Sequence, residues 1–337
     1  MKKTTLAALA LICAGTLSPS FATLHAQEVS PTATSNVYDF ANFSPEKVLD
    51  LFEKALEDGR KYPTNAEFES IGLLPSDIAF MRSHVRRAAI LPRTDRLVND
   101  TYEKRDLWCN LPMDIGQDGL AGYPDGEFSS DVFSMWNYTN LFGSWNHSFF
   151  QAPGAWVDAA HKNGTMIMSG IKFFESWGTG DGSWVSYCTA KNADGSFKYV
   201  KPLINCLMYF GYDGINFNWE DYSYSNKDIV AFHKALWKEA QEQGLDDFQL
   251  GLYTSASILT AGNANSLFGN DEGRTATTML NYSGGDFTFQ LKTSAQSAEN
   301  AMGTTEGLYA GVWIVSIQSF GRMPACGSSA WIAAGRV

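Results

Sequence analysis

The sequence predicts an α/β protein: a (β/α)8 TIM-type barrel that falls short of eight strands, preceded by a helical segment. Three observations carry this. From about residue 106, short apolar runs of strand character alternate with helical patterns, separated by Gly or Asn-Gly steps, and such alternation implies a parallel sheet. Residues 214–220 read Gly-Ile-Asn-Phe-Asn-Trp-Glu, so period-two alternation sets Ile215, Phe217 and Trp219 on one face and Asn216, Asn218 and Glu220 on the other. The carboxyl group of Glu220 then falls at the C-terminal end of a strand, where (β/α)8 barrels carry their chemistry.

Taken in order, the chain opens with Lys2 and Lys3, an apolar run from Leu6 to Leu17, and small and polar residues as far as Ala26. That pattern is a secretory signal peptide over residues 1–26, because the apolar run is too short to span a membrane. It implies export to the cell surface, the periplasm or the medium of a bacterium. Residues 27–37, rich in Ser, Thr and Pro, read as a disordered lead-in. Residues 38–105 read as an N-terminal helical segment. Ser44-Pro45-Glu46 starts one helix, with Val48, Leu49, Leu51, Phe52 and Leu56 as its apolar stripe, and Pro75 starts another. The barrel takes residues 106–337. Its expected strands lie at 138–145, 165–174, 214–220, 248–254, 277–282 and 307–318, with helices at 155–163, 200–210 and 227–243. The tail 323–337, rich in Gly, Ala and Ser, shows no βα pattern. Six strands leave the barrel open, with two free edges prone to aggregation.

Composition narrows the function. The net charge is −11 before the signal peptide is removed, and its removal takes away two lysines and no acid. An acidic chain without a basic patch is a poor ligand for nucleic acid. No Cys or His spacing matches a metal site, so no metal and no cofactor are expected. Cys206, inside the apolar run 203–210, reads as a buried thiol, and His147 and His161 read as structural. Aromatic residues make up 14% of the chain, which suits a sugar-binding cleft but also an ordinary core.

Several segments in order resemble glycoside hydrolase family 85, the endo-β-N-acetylglucosaminidases. They are Ala159-Ala160-His161-Lys162-Asn163-Gly164 before Phe173-Phe174-Glu175-Ser176-Trp177; Gly211-Tyr212-Asp213-Gly214 before Asn218-Trp219-Glu220; Leu252-Tyr253-Thr254-Ser255; Leu280-Asn281-Tyr282; and Leu308-Tyr309-Ala310-Gly311 with Phe320-Gly321-Arg322. The resemblance covers roughly residues 135–322. Thr254 stands where the family usually carries Asp. The spacing around Glu220 is also similar to that of family 18 chitinases, but positions 216 and 218 are both Asn here.

The resemblance implies cleavage of the GlcNAc-β-1,4-GlcNAc core of N-linked glycans on glycoproteins. A retaining glycosidase usually brings two carboxyl groups to within about 5–5.5 Å. The residue two before Glu220 is an amide, so the substrate's own 2-acetamido oxygen is the expected nucleophile. Glu220 then serves as general acid and base, and Asn218 orients the acetamide. Tyr253, Asn216, Glu175, Trp177 and Asn281 are the expected substrate-binding residues. Two other readings stay open: a family 18-like enzyme acting on chitin, and a catalytically silent glycan-binding protein.

Overall fold

The computed structural model describes residues 45–90, 106–110, 133–143, 154–172, 183–220, 222–282, 287–314 and 331–336. Among the described residues, three helices come first: α1 (Pro45–Glu57), α2 (Asn65–Ser70) and α3 (Pro75–Met81). A capping box starts α2, with the Thr64 side chain accepting from the Glu67 amide while the Glu67 carboxylate accepts from the Thr64 amide. The barrel elements follow as β1 (Leu107–Asn110), β2 (Leu141–Gly143), α4 (Gly154–Lys162), β3 (Met166–Lys172), α5 (Ser183–Thr189), α6 (Val200–Phe210), β4 (Gly214–Asn218), α7 (Lys227–Glu242) and β5 (Gln249–Tyr253). After α8 (Ala264–Leu267), a two-stranded hairpin of β6 (Gly269–Asn270) and β7 (Gly273–Arg274) interrupts the repeat. It resumes with β8 (Thr277–Leu280), α9 (Phe287–Met302), β9 (Leu308–Ile314) and β10 (Trp331–Arg336).

The strands close into a barrel in the order β1, β2, β3, β4, β5, β8, β9, β10. All neighbours from β1 through β9 are parallel, whereas β10 runs antiparallel to both β9 and β1. Seven parallel strands therefore make an incomplete (β/α)8 repeat, and an antiparallel strand takes the eighth place. Two of the barrel strands escaped the sequence reading for physical reasons. β1 spans only four residues at the boundary of the segment read as helical, and β10 belongs to a hairpin-like pairing that needs no preceding helix. The strand carrying Asn218 is consequently the fourth, not the third, and that of Tyr253 the fifth. The expected free edges are paired, which removes the reason given for aggregation.

The N-terminal helices share the barrel's core. Helix α6 is buried on nearly every side because α1 covers the face turned away from the sheet. Phe52 and Phe68 pack on Tyr209 with ring centroids 5.8 and 5.5 Å apart, and the Tyr199 hydroxyl donates to Asp50 at 2.7 Å. Cys206 lies fully buried in this layer, as expected, and burial pushes its thiol well above the usual range.

Residues 82–90 then run as an extended strap past the C-terminal ends of α4 and α6. The Ser83 amide donates to Phe210 O at 3.0 Å and the Ala88 amide to His161 O at 2.8 Å. Two glycines make room for it. Gly164 and Gly211 end their helices at φ 80° and 90°, and a Cβ would lie 1.9 Å from Ile90 O at the first and 2.9 Å from Ser83 O at the second.

Under the strap, His161 joins three elements. Its Nδ1 donates to Val85 O at 2.5 Å and its Nε2 to Asp213 Oδ2 at 2.9 Å, and the same carboxylate oxygen accepts from the Ile167 amide at 2.7 Å. Burial opposes charge on the imidazole, but the adjoining Asp213 carboxylate outweighs it and holds the pKa above the ordinary value. Asp213→Ala leaves both donors buried without an acceptor, so a loss of about 3–5 kcal/mol is expected. Urea unfolding monitored by tryptophan fluorescence measures it, and a midpoint equal to wild type refutes it.

Candidate active site

Strand β4 places the centre of the site. Ile215 and Phe217 are turned out toward α7 and fully buried, while Asn216 and Asn218 face the barrel interior. In register, Asn216 lies between Gly170 on β3 and Gly251 on β5, and Asn218 between Lys172 and Tyr253.

Behind β4, His233 of α7 stacks on Phe217 at 5.1 Å and 8° and meets the edge of Trp219 at 6.1 Å. Neither ring nitrogen has a hydrogen-bond partner among the described residues. Full burial without a counter-charge pushes its pKa down to about 3. The folded state thus keeps a neutral imidazole while the unfolded chain protonates below about 6.5, so stability falls as pH drops from 6.5 toward 3 at up to about 1.4 kcal/mol per unit. His233→Phe is expected to flatten that slope. Melting temperatures of the two proteins between pH 7 and pH 4 test it, and parallel curves would count against it.

Two residues past Asn218, Glu220 stands at the mouth of the barrel, half-buried, and burial raises its pKa above the usual carboxyl range. The chain around it is pinned. The Trp219 amide donates to Tyr253 O at 2.8 Å, and its indole Nε1 donates to Ser223 Oγ at 2.6 Å on the 3-10 turn Tyr222–Ser225. From β5, Tyr253 sits next to both functional groups. It is the register partner of Asn218, and burial first, then Tyr282 and Glu220, raise its pKa well above the phenol range. Its hydroxyl accepts from Asn281 Nδ2 at 2.7 Å, and its ring stacks on Tyr282 at 6.4 Å. Thr254 lies beside the Tyr224 hydroxyl, and its Oγ1 accepts from the Ala256 amide at 3.1 Å.

Asn218, Glu220, Tyr253 and Asn281 are therefore brought together at the C-terminal end of the barrel. Asn216 lies one level below, with no solvent exposure, and its Nδ2 donates to Asn110 Oδ1 at 3.2 Å. Glu175 and Trp177 fall outside the described residues, as does His147. The sequence reading missed the Tyr224–Thr254 pair and Asn110. The only signal for Asn110 was a polar residue closing the run Leu107-Trp108-Cys109. Among the described strand ends, Glu220 supplies the one carboxyl group at this face. The cluster offers an acid of raised pKa, an oriented carboxamide and a phenol hydroxyl. Among the described residues, no group of three or more His, Cys, Asp or Glu is arranged to hold a metal ion, and no helix is long and apolar enough to cross a membrane.

The model of glycosyl hydrolase family 85 matches residues 120–318, more than half of the chain. The chain belongs to glycosyl hydrolase family 85. The matched span takes in β2 through β9 and every site residue named above except Asn110. Among solved structures, this family 85 chain is similar to the glycoside hydrolase domain of Endo-D from Streptococcus pneumoniae R6, with a TM-score of 0.52 and 17% identity. The match covers 73% of this chain and 39% of that one, so the chain spans about two-fifths of the Endo-D structure; at this identity the likeness concerns the fold. A fainter likeness links it to the spore cortex-lytic enzyme SleL of Bacillus cereus, with a TM-score of 0.33, 10% identity, and coverage of 58% and 48%. No curated protein matches the sequence.

Proposed function

We propose that this chain is an exported bacterial endo-β-N-acetylglucosaminidase that cuts the GlcNAc-β-1,4-GlcNAc core of N-linked glycans with retention of configuration. The observation that carries the reading is Asn218 beside a single half-buried carboxyl group of raised pKa, Glu220. Among the described residues, the inward position next to Glu220 on its strand carries an amide, Asn218, and not a carboxylate nucleophile. An amide there fits a reaction in which the substrate supplies the nucleophile.

In the first step the Glu220 carboxyl gives its proton to the glycosidic oxygen as the C1–O bond breaks. The 2-acetamido carbonyl oxygen closes on C1 and forms an oxazolinium ion. Asn218 accepts from the acetamide N–H and aims that oxygen, and the Tyr253 hydroxyl, held by Asn281, lies alongside. In the second step the Glu220 carboxylate takes a proton from water, which attacks C1 and reopens the ring. Two inversions leave the β-anomer. A raised pKa suits a group that must donate and then accept. Glu175 and Trp177 are assigned to sugar binding, through hydroxyl contacts and ring stacking.

Incubation with high-mannose and complex N-glycoproteins, read by mass spectrometry, tests this. Released glycans ending in one reducing GlcNAc, with one GlcNAc left on the peptide, are expected. Cleavage of chitin oligomers alone would favour the family 18-like reading, and glycan binding without release would mark a silent binding protein.

A further inference from the structure

We propose that Asn110 and Asn216 form a buried positioning pair that fixes Asn218 from below; the inference rests on the function proposed above. The level of the barrel beneath Asn218 departs from the branched aliphatic filling usual in such barrels. Both register neighbours of Asn216, Gly170 and Gly251, lack side chains, as does Gly143 beside Asn110. The space is shared by the Asn216 amide, the Met168 side chain and the Trp108 indole. A Cβ on Gly251 would lie 2.7 Å from Asn216 Oδ1, and one on Gly143 would lie 3.2 Å from Asn216 Nδ2. The amide plane is wedged, and its direction is set by the bond from Nδ2 to Asn110 Oδ1.

This arrangement is costly. Asn110 and Asn216 are fully buried, and Asn110 Nδ2 and the neighbouring Trp108 Nε1 have no hydrogen-bond partner among the described residues. A buried donor left unmade is destabilising, so an aliphatic floor would be the more stable choice. Keeping it directly under the reacting carboxamide points to a positional role. Asn216 and Asn218 are consecutive inward residues of one strand, so clamping the lower amide sets the height and twist of β4 where Asn218 leaves it. Asn110 thereby ties β1 to the far side of the barrel one level beneath the reaction. It touches no reacting atom and acts through Asn218.

The test compares Asn110→Leu, which removes the acceptor, with Asn110→Asp, which keeps an oxygen facing Asn216 Nδ2. For Asn110→Leu, kcat on an N-glycopeptide is expected to fall about 10- to 100-fold with KM within about twofold, as for a small misplacement of an orienting group. Turnover of a pre-formed GlcNAc-oxazoline donor, which has already passed acetamide attack, should stay within about threefold of wild type. Asn110→Asp should recover most of the lost kcat. A crystal structure of Asn110→Leu should show the Asn218 carboxamide turned from its wild-type rotamer. Equal losses on both substrates, or an unmoved Asn218, would overturn the positioning role in favour of a purely structural one. If wild type releases no glycan, the proposed function fails by itself, and the Asn218 rotamer still decides this inference. Should Asn110→Leu not fold, the same rotamer and kinetic comparison is made on Asn216→Ser.

Discussion

Replacing Glu220 with Gln is expected to lower glycan release by about 10³-fold, within the 10²–10⁴ that a positioned acid and base contributes. Gln keeps the shape of the side chain and its hydrogen-bonding reach but holds no transferable proton. Binding of the glycan should survive, because the stacking and hydroxyl contacts assigned to other residues are untouched. Isothermal titration with an N-glycan and a timed release assay separate the two effects. Wild-type turnover in this variant would remove Glu220 from the mechanism.

The pH profile gives a second handle on the same group. The first step of the proposed reaction needs Glu220 protonated, and burial raises its pKa. Activity should therefore persist above the pH at which an ordinary carboxyl ionises, then fall as pH rises through the raised value. The residual rate of the Gln variant should lack that falling limb.

Asn218→Ala is expected to cost about 10²–10³-fold in kcat on the natural bond, comparable to losing one donor or orienting group in a pre-arranged site. The acetamide would still bind but would no longer be held for attack on C1. A pre-formed oxazoline has that bond already, so its hydrolysis should suffer far less. The same chemistry fixes the product: NMR of the newly formed reducing end should show the β-anomer before mutarotation. An α-anomer at the first time point would defeat substrate assistance.

The alternation of Asn216, Asn218 and Glu220 against Ile215, Phe217 and Trp219 was readable because a strand has only two faces and one of them is apolar. The helices at 155–163, 200–210 and 227–243 were equally legible, since each buries an apolar stripe and stops at a glycine or soon before one. What stayed hidden depends on pairing across long sequence distances. Nothing in Trp331–Arg336 says that it runs antiparallel between β9 and β1. Asn216 shares the parity of Asn218, so the sequence placed it among substrate contacts. Its depth is decided by Asn110, more than a hundred residues away, and by glycines on neighbouring strands. Asp213, inside the segment Gly-Tyr-Asp-Gly, holds His161 and the Ile167 amide at the opposite end of β4, a role set by contacts far apart in the chain.

The strap at 82–90 bears on modularity. A transfer that carried only the strands and helices from β1 onward, leaving the N-terminal segment behind, would strip the acceptor from His161 Nδ1 and bare the aromatic flank of α6. The heritable unit is therefore larger than the barrel. Exchange between relatives would be tolerated when α1 through the strap travels with the helices it packs on, and a barrel transferred without the strap would leave Gly164 and Gly211 facing nothing.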